Sequence, residues 1–191
     1  KINKKLIKKK LKLEKKKIIL FVGKLINRKN PFDFIELAKK YIENKKVHFI
    51  MIGDGYLKNK CLKLKYKYKL SNLSLSGFVN QKDLRVFYNI SDIVILPSSY
   101  ETWGLTINEA FASNIPVICT NDCGAYHDLV IKKKTGFTYK TGQIKDLKKK
   151  TDNILSDKNL RKLMKKNIKK KLTYYSKFTS IKSISKILNE K

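Results

Sequence analysis

The sequence has 191 residues, which suits one domain with a short appended segment and is too short for two complete domains of ordinary size. It has 45 Lys and Arg against 15 Asp and Glu, a formal net charge of +30, yet 42% of its residues are hydrophobic, so a folded chain is expected. Only three of the basic residues are Arg and Lys is spread along the whole chain, which argues against specific nucleic-acid recognition, because that depends on the arginine fork.

The cysteine content and the hydropathy of the sequence indicate the cellular compartment in which the protein is expected to function. The three cysteines, Cys61, Cys119 and Cys123, are odd in number and form no CxxC pair, so neither a disulfide framework nor a zinc site is predicted. No apolar run approaches the roughly 20 residues that span a bilayer, and the first residues lack the pattern of a secretory signal. We expect a cytoplasmic protein, with peripheral contact between its basic surface and the acidic inner face of the membrane left open.

The first 16 residues are dominated by lysine and predict a lead-in helix or a linker. Three leucines in this segment are too sparse to build a core: Leu6, Leu11 and Leu13. The periodicity changes after this point, so we assign the α/β domain to residues 17–173 and a C-terminal helix to residues 174–191.

Short apolar runs then alternate with helical patterns. Strands are predicted at residues 18–22, 47–52, 73–76, 93–96, 117–119 and 136–138. The first helix should begin at Pro31 with Asn30 as its cap, and others are expected at residues 56–69, 81–90, 105–113, 143–155, 157–171 and 178–189, with a short one after residue 123. This alternation predicts a doubly wound parallel sheet, Rossmann-like, with a helical tail.

Ligands of such sheets bind at the carboxyl ends of the strands, where loops and helix N-termini converge. In the loop after the fourth strand, Glu101 lies just before a predicted helix and Glu109 about one turn inside it. Gly104 lets the backbone approach a ligand, and the N–H groups of Leu105 and Thr106 lie at the positive end of the helix dipole. The segment predicts a pyrophosphate site flanked by acids that bind hydroxyl groups, although either acid alone would more often be an ordinary surface carboxylate.

The loop after the first strand adds cations. Lys24 follows the strand directly and Lys29 precedes the helix at Asn30 and Pro31. Two cations and a helix N-terminus can neutralise a diphosphate without a metal ion. In so lysine-rich a chain, each lysine alone is more often a solvated surface group.

Taken together, these residues resemble the retaining GT-B glycosyltransferases known as glycosyl transferases group 1, over nearly all of residues 18–188. The markers occur in the family's order and spacing: Phe21 to Leu25 with Lys29 and Asn30, Ile52 to Gly55, Ser76 to Val79, Leu96 to Ser98 with Glu101 and Glu109, Asp122 to Gly124 with Asp128 to Val130, and Thr135 to Phe137. The resemblance implies the C-terminal, donor-binding half of a GT-B fold. It also implies a missing N-terminal acceptor domain and a final helix that crosses back toward that domain.

By this resemblance Glu101 would contact the donor sugar, as the catalytic carboxylate, and Glu109 would bind the ribose hydroxyls. The diphosphate would be held by Gly23, Lys24, Lys29, Gly104, Leu105 and Thr106. The backbone of Gly77, Phe78 and Val79 would contact the nucleobase. The sequence departs from the family where Lys24 replaces the usual Arg, Asn30 the usual Gly and Trp103 the common Phe.

The implied reaction transfers a hexose from a nucleoside diphosphate sugar to an acceptor hydroxyl with retention. The chain has no Asp-x-Asp motif, so no divalent metal or other cofactor is expected. Glu101 could act as a nucleophile, but the resemblance favours a role in positioning the sugar. Two alternatives stay open: a nucleotide-sugar-binding module without catalysis, and a basic domain that binds nucleic acid or acidic lipid.

Overall fold

The computed structural model describes residues 3–174. Its sheet has six strands, β1 (Lys17–Val22), β2 (Val47–Ile52), β3 (Leu73–Leu75), β4 (Ile93–Leu96), β5 (Val117–Thr120) and β6 (Gly136–Tyr139). The strand order is β3-β2-β1-β4-β5-β6, and all neighbouring strands are parallel. The predicted doubly wound, Rossmann-like sheet is therefore confirmed.

Eight helices are described: α1 (Lys4–Lys10), α2 (Pro31–Lys39), α3 (Lys58–Lys67), α4 (Gln81–Ile90), α5 (Leu105–Ala112), α6 (Tyr126–Leu129), α7 (Ile144–Ser156) and α8 (Lys158–Tyr174), with a 3₁₀ turn at Asn27–Lys29 before α2. Successive strand residues supply opposite faces of the sheet: Ile19 and Phe21 join one buried cluster, and Ile18 and Leu20 the other. Helices α2, α3 and α7 pack on the first face, and α4 and α5 on the second.

The lead-in segment packs on the domain, and the expectation that its leucines contribute no core is wrong for Leu13. Leu13 is 6% exposed and belongs to the cluster under α4 and α5. Lys8 of α1 donates to the Lys16 carbonyl at 2.7 Å and pairs with Asp92 at 3.7 Å. Asp92 lies far away in sequence, so the lysine pattern alone could not reveal this counter-charge.

Asn30 is the N-cap residue of α2, as predicted, but its side chain does not cap the helix. Asn30 has φ 44° and ψ 59°, and its side chain forms no capping hydrogen bond. Its N–H donates to the Asn27 carbonyl at 2.9 Å, so it ends the 3₁₀ turn in the left-handed conformation, which Asn tolerates better than most residues. The family resemblance implies Gly at this position, and Asn30 is the next most suitable residue for the left-handed conformation.

The two helices predicted before the tail are confirmed as α7 and α8. The predicted crossover helix at residues 174–191, including Ile181, Ile184 and Ile187, falls almost entirely outside the described residues. Within residues 3–174, none of the helices combines the length and the apolar character needed to cross a bilayer.

Candidate functional site

Backbone hydrogen bonds join the loops at the carboxyl edge of the sheet. They run from Leu25 N to Asp54 O (2.9 Å), Gly53 N to Gly77 O (2.8 Å), Ser99 N to Arg28 O (2.9 Å), Glu101 N to Asp122 O (3.1 Å) and Gly124 N to Glu101 O (2.8 Å). The loops after five of the strands are therefore held together before any ligand binds, which is the arrangement that a preorganised site requires.

Glu101 and Lys29 form an ion pair through Glu101 Oε2 and Lys29 Nζ. Their side chains are only 12% and 16% exposed, so the pair is largely shielded from water. The hydroxyl of Ser98, a fully buried residue, lies 3.5 Å from the same carboxylate oxygen. The loops after β1 and β4 thus bring together the acid and the cation assigned to the sugar and the diphosphate.

Two glycines allow the β4 and β5 loops to lie against each other. Gly104 has φ +95°, and a Cβ there would stand 2.7 Å from Cys123 Sγ and 3.4 Å from Glu101 Cγ. A Cβ at Gly124 would stand 2.0 Å from the backbone oxygen of Thr102, which is far inside any allowed contact. Larger residues at these positions would push the Glu101 loop away from its support.

Helix α5 presents unpaired donors toward this loop. Its first intrahelical bond runs from Ile107 N to Gly104 O at 2.8 Å. The N–H groups of Leu105 and Thr106 have no backbone acceptor in the part of the chain that the structure describes. These N–H groups and the positive end of the helix dipole lie next to Glu101.

Glu109 lies one turn inside α5, and its contacts differ from those of Glu101. Its Oε2 accepts a hydrogen bond from the Tyr88 hydroxyl of α4 at 2.6 Å. Both residues line a cleft of about 670 Å³ between the two helices, together with Gln81, Lys82, Leu84, Arg85, Asn89, Ala112 and Ser113. Glu101, Lys24 and Lys29 are not among the residues that line this cleft.

A sequence profile described as "Glycosyl transferases group 1" matches residues 3–171. The chain belongs to this family. Its relatives include an Escherichia coli UDP-Gal:alpha-D-GlcNAc-diphosphoundecaprenol alpha-1,3-galactosyltransferase, 33% identical over 178 residues, which cover 89% of this chain and 44% of the relative. The Staphylococcus aureus capsular polysaccharide biosynthesis glycosyltransferase CapM is 28% identical over 164 residues, 85% of this chain and 42% of the relative. The chain therefore spans less than half the length of these two relatives.

Solved structures confirm the fold. The C-terminal domain of the group 1 protein LpcC from Francisella tularensis superposes with a TM-score of 0.79 at 23% identity, over 90% of this chain and 91% of that chain. HepE from Anabaena, solved with UDP and glucose, has a TM-score of 0.84 at 17% identity, over 98% of this chain and 52% of that chain. The chain has the fold of a GT-B C-terminal domain.

The two lysines in the loop after β1, Lys24 and Lys29, differ in exposure and in ion pairing. Lys24 is exposed and has no ion-pair partner among the described residues, whereas Lys29 is paired with Glu101. The N–H of Gly23 donates to the Ile52 carbonyl at 3.0 Å, and a Cβ at Gly23 would make only ordinary contacts, the nearest Lys29 atom being 3.7 Å away. Gly23 therefore borders the stem of Lys29 without being sterically required.

The three residues assigned to the nucleobase follow β3. The Gly77 carbonyl already accepts from Gly53, which leaves one of its lone pairs. Phe78 is 78% exposed, and Val79 is partly buried against the core. Within residues 3–174, Phe78 and Val79 form no backbone–backbone hydrogen bonds, so their backbone groups are free to contact a ligand.

Sequence reasoning assigned no role to Tyr88 or Cys123, both of which touch the site. Cys123 Sγ donates to the Trp103 carbonyl at 3.2 Å, and a hydrogen bond from Cys119 lowers the pKa of its thiol. Tyr88 lies on the face of α4 that packs toward α5. A tyrosine among other apolar residues of an amphipathic helix gives no local signal of a distant carboxylate, so only the packing of α4 against α5 identifies it.

Proposed function

We propose that this chain is the donor-binding half of a glycosyltransferase that moves a sugar from a nucleoside diphosphate sugar to an acceptor hydroxyl with retention. The observation that carries the proposal is the shielded Glu101–Lys29 pair beside the N-terminus of α5. An acid, a cation and free backbone N–H groups within one loop cluster fit a ligand that joins a sugar to a diphosphate.

Donor binding should rearrange the ion pair. A diphosphate brings negative charge to a site where Lys29 is neutralised by Glu101, so the phosphate oxygens compete with the carboxylate for the ammonium group. Once Lys29 is shared with phosphate, Glu101 gains a free oxygen that can accept hydrogen bonds from sugar hydroxyls. Binding of the diphosphate would therefore free Glu101 to bind the sugar.

The proposed role of the site in catalysis is electrostatic. The transition state of transfer is oxocarbenium-like, and the departing diphosphate gains negative charge that Lys24, Lys29 and the α5 dipole would stabilise. We propose that this needs no divalent metal. We assign Glu101 to positioning of the sugar rather than to nucleophilic attack, as the family resemblance implies.

The relatives support a nucleotide-sugar donor. The name of the E. coli relative specifies UDP-Gal, and HepE and the S. aureus enzyme TarM have been solved with UDP. UDP and its sugars are therefore the first donors to test. Because the chain covers 52% of HepE and 44% of the E. coli relative, we propose that the acceptor site is supplied by a separate N-terminal half.

Replacing Lys24 with alanine is expected to weaken binding of UDP about tenfold and to change binding of UMP by less than about twofold, because the exposed ammonium contacts the diphosphate rather than the nucleoside. Isothermal titration calorimetry of both nucleotides in EDTA measures this. The control is Lys162→Ala, which removes another exposed lysine, from α8.

Equal loss of UDP affinity in Lys24→Ala and Lys162→Ala would contradict the assignment. If the chain instead bound RNA or anionic vesicles with steep salt dependence, unchanged by Lys24→Ala, and bound no nucleotide, the basic-domain alternative would replace it.

A further inference from the structure

The hydrogen bond between Tyr88 and Glu109 joins two helices that are 21 residues apart in sequence. Tyr88 is 3% exposed, and its hydroxyl lies 2.6 Å from Glu109 Oε2. Among the described residues, Glu109 Oε1 has no hydrogen-bond partner. One carboxylate oxygen is thus held by the protein while the other is available in the cleft.

Tyr88 can act only as a donor in this bond. Burial raises the pKa of its hydroxyl well above the usual range, and the hydrogen bond and charge of Glu109 raise it further, against an opposing interaction with Thr106. The phenol is therefore protonated at neutral pH. A neutral donor on one oxygen fixes the side-chain rotamer of Glu109 without neutralising its charge.

Fixing that rotamer matters because the cleft offers Glu109 another partner. Arg85 and Lys82, one to two turns before Tyr88 on α4, line the same cleft and bring positive charge to it. A carboxylate released from Tyr88 could turn toward these cations and away from a ligand. Restraint before binding also lowers the conformational entropy lost when the ligand arrives.

We propose that Tyr88 is a positioning residue that holds Glu109 so that its free oxygen accepts from the vicinal diol of a ribose. The inference rests on the proposed function, since it presupposes a nucleotide donor. It goes beyond that function by assigning diol recognition to a pair of residues on two helices instead of to the acid alone.

The test compares each nucleoside diphosphate with its 2′,3′-dideoxy analogue, which lacks the diol. By calorimetry, wild type should prefer UDP, or GDP if that is the base it binds, over the analogue. Tyr88→Phe is expected to weaken the natural nucleotide about five- to tenfold and the analogue less than about twofold, so that the preference largely disappears. In a Glu109→Ala background, Tyr88→Phe should have no further effect.

The matched control is Tyr41→Phe, which also removes a tyrosine hydroxyl bonded to a carboxylate, that of Asp152, on the opposite face of the sheet. It should leave the diol preference intact. Phe fills nearly the same volume as Tyr, so both variants should fold and melt within about 4 °C of wild type.

Equal weakening of nucleotide and analogue, or no change in either, would overturn the role of Tyr88 while leaving the donor site standing. An added effect of Tyr88→Phe in the Glu109→Ala background would overturn it too. If wild type binds neither UDP nor GDP, the proposed function fails and this inference fails with it.

Discussion

Glu101→Gln is expected to lower sugar transfer by about 100-fold or more when the chain acts with the proposed acceptor-binding half, because the variant would lose the negative charge that we propose lies beside the oxocarbenium-like transition state. Affinity for UDP should be no weaker than in wild type. The reason is the ion pair: without Glu101 as a competitor, the whole charge of Lys29 becomes available to the diphosphate. The variant therefore separates catalysis from donor binding.

The measurement is a transfer assay with UDP-sugars, paired with calorimetry on the same preparations. Glu36→Gln serves as the control, since Glu36 lies on α2 and pairs only weakly with Lys39 at 3.9 Å. It should retain full activity. Undiminished transfer by Glu101→Gln would show that Glu101 has no catalytic part, and loss of UDP binding would show that the pair supports the phosphate site rather than competing with it.

Gly124→Ala is expected to lower the free energy of unfolding by about 3 kcal/mol and to abolish measurable UDP binding. The added Cβ would stand 2.0 Å from Thr102 O and 3.4 Å from Glu101 O, and both are backbone atoms that cannot turn aside. The β4 and β5 loops must separate to admit it. Since Glu101 bridges to Cys123 across this contact, the separation should also displace the start of α5, whose free N–H groups are proposed to bind the diphosphate.

Urea unfolding followed by fluorescence measures this loss, because the only tryptophan of the chain, Trp103, lies in the affected loop. Gly142→Ala is the matched control: its φ of +80° makes alanine unfavourable, but nothing lies within 4 Å of the added Cβ. It should cost about 1 kcal/mol and leave UDP binding unchanged. Gly124 does not have a positive φ, so a loss of stability no larger than that of Gly142→Ala would contradict the proposed clash with Thr102 O.

The fold was predictable because its signals are local. Residues 18–22 of β1 form a continuous apolar run, β2 is apolar apart from His48, and both strands are followed by glycine. The observed strand bounds differ from the predicted ones by only a residue or two. The predicted loops do meet at one edge of the sheet. The features that could not be predicted depend on contacts between distant segments, including the burial of Leu13 in the core cluster that contains Tyr88 and Ile107.

In the candidate site, too, local features could be predicted from the sequence and contacts between distant residues could not. The positions of Glu101 and Glu109 around the start of α5 followed from their spacing, but their partners did not, because Lys29 is 72 residues from Glu101 and Tyr88 is 21 residues from Glu109. Because the sequence contains so many lysines, it also did not indicate which of them are buried or paired in the structure. Lys29 is shielded and paired while Lys24 is exposed, and no feature of the sequence separates them.

Calorimetry of this chain with UDP and GDP tests most directly whether it contains a donor site. We expect one of the two nucleotides to bind at a single site, and Glu109→Ala to weaken that binding at least about tenfold through loss of the ribose contact. Absence of binding by both nucleotides to the folded chain, or equal binding to Glu109→Ala, would contradict the account.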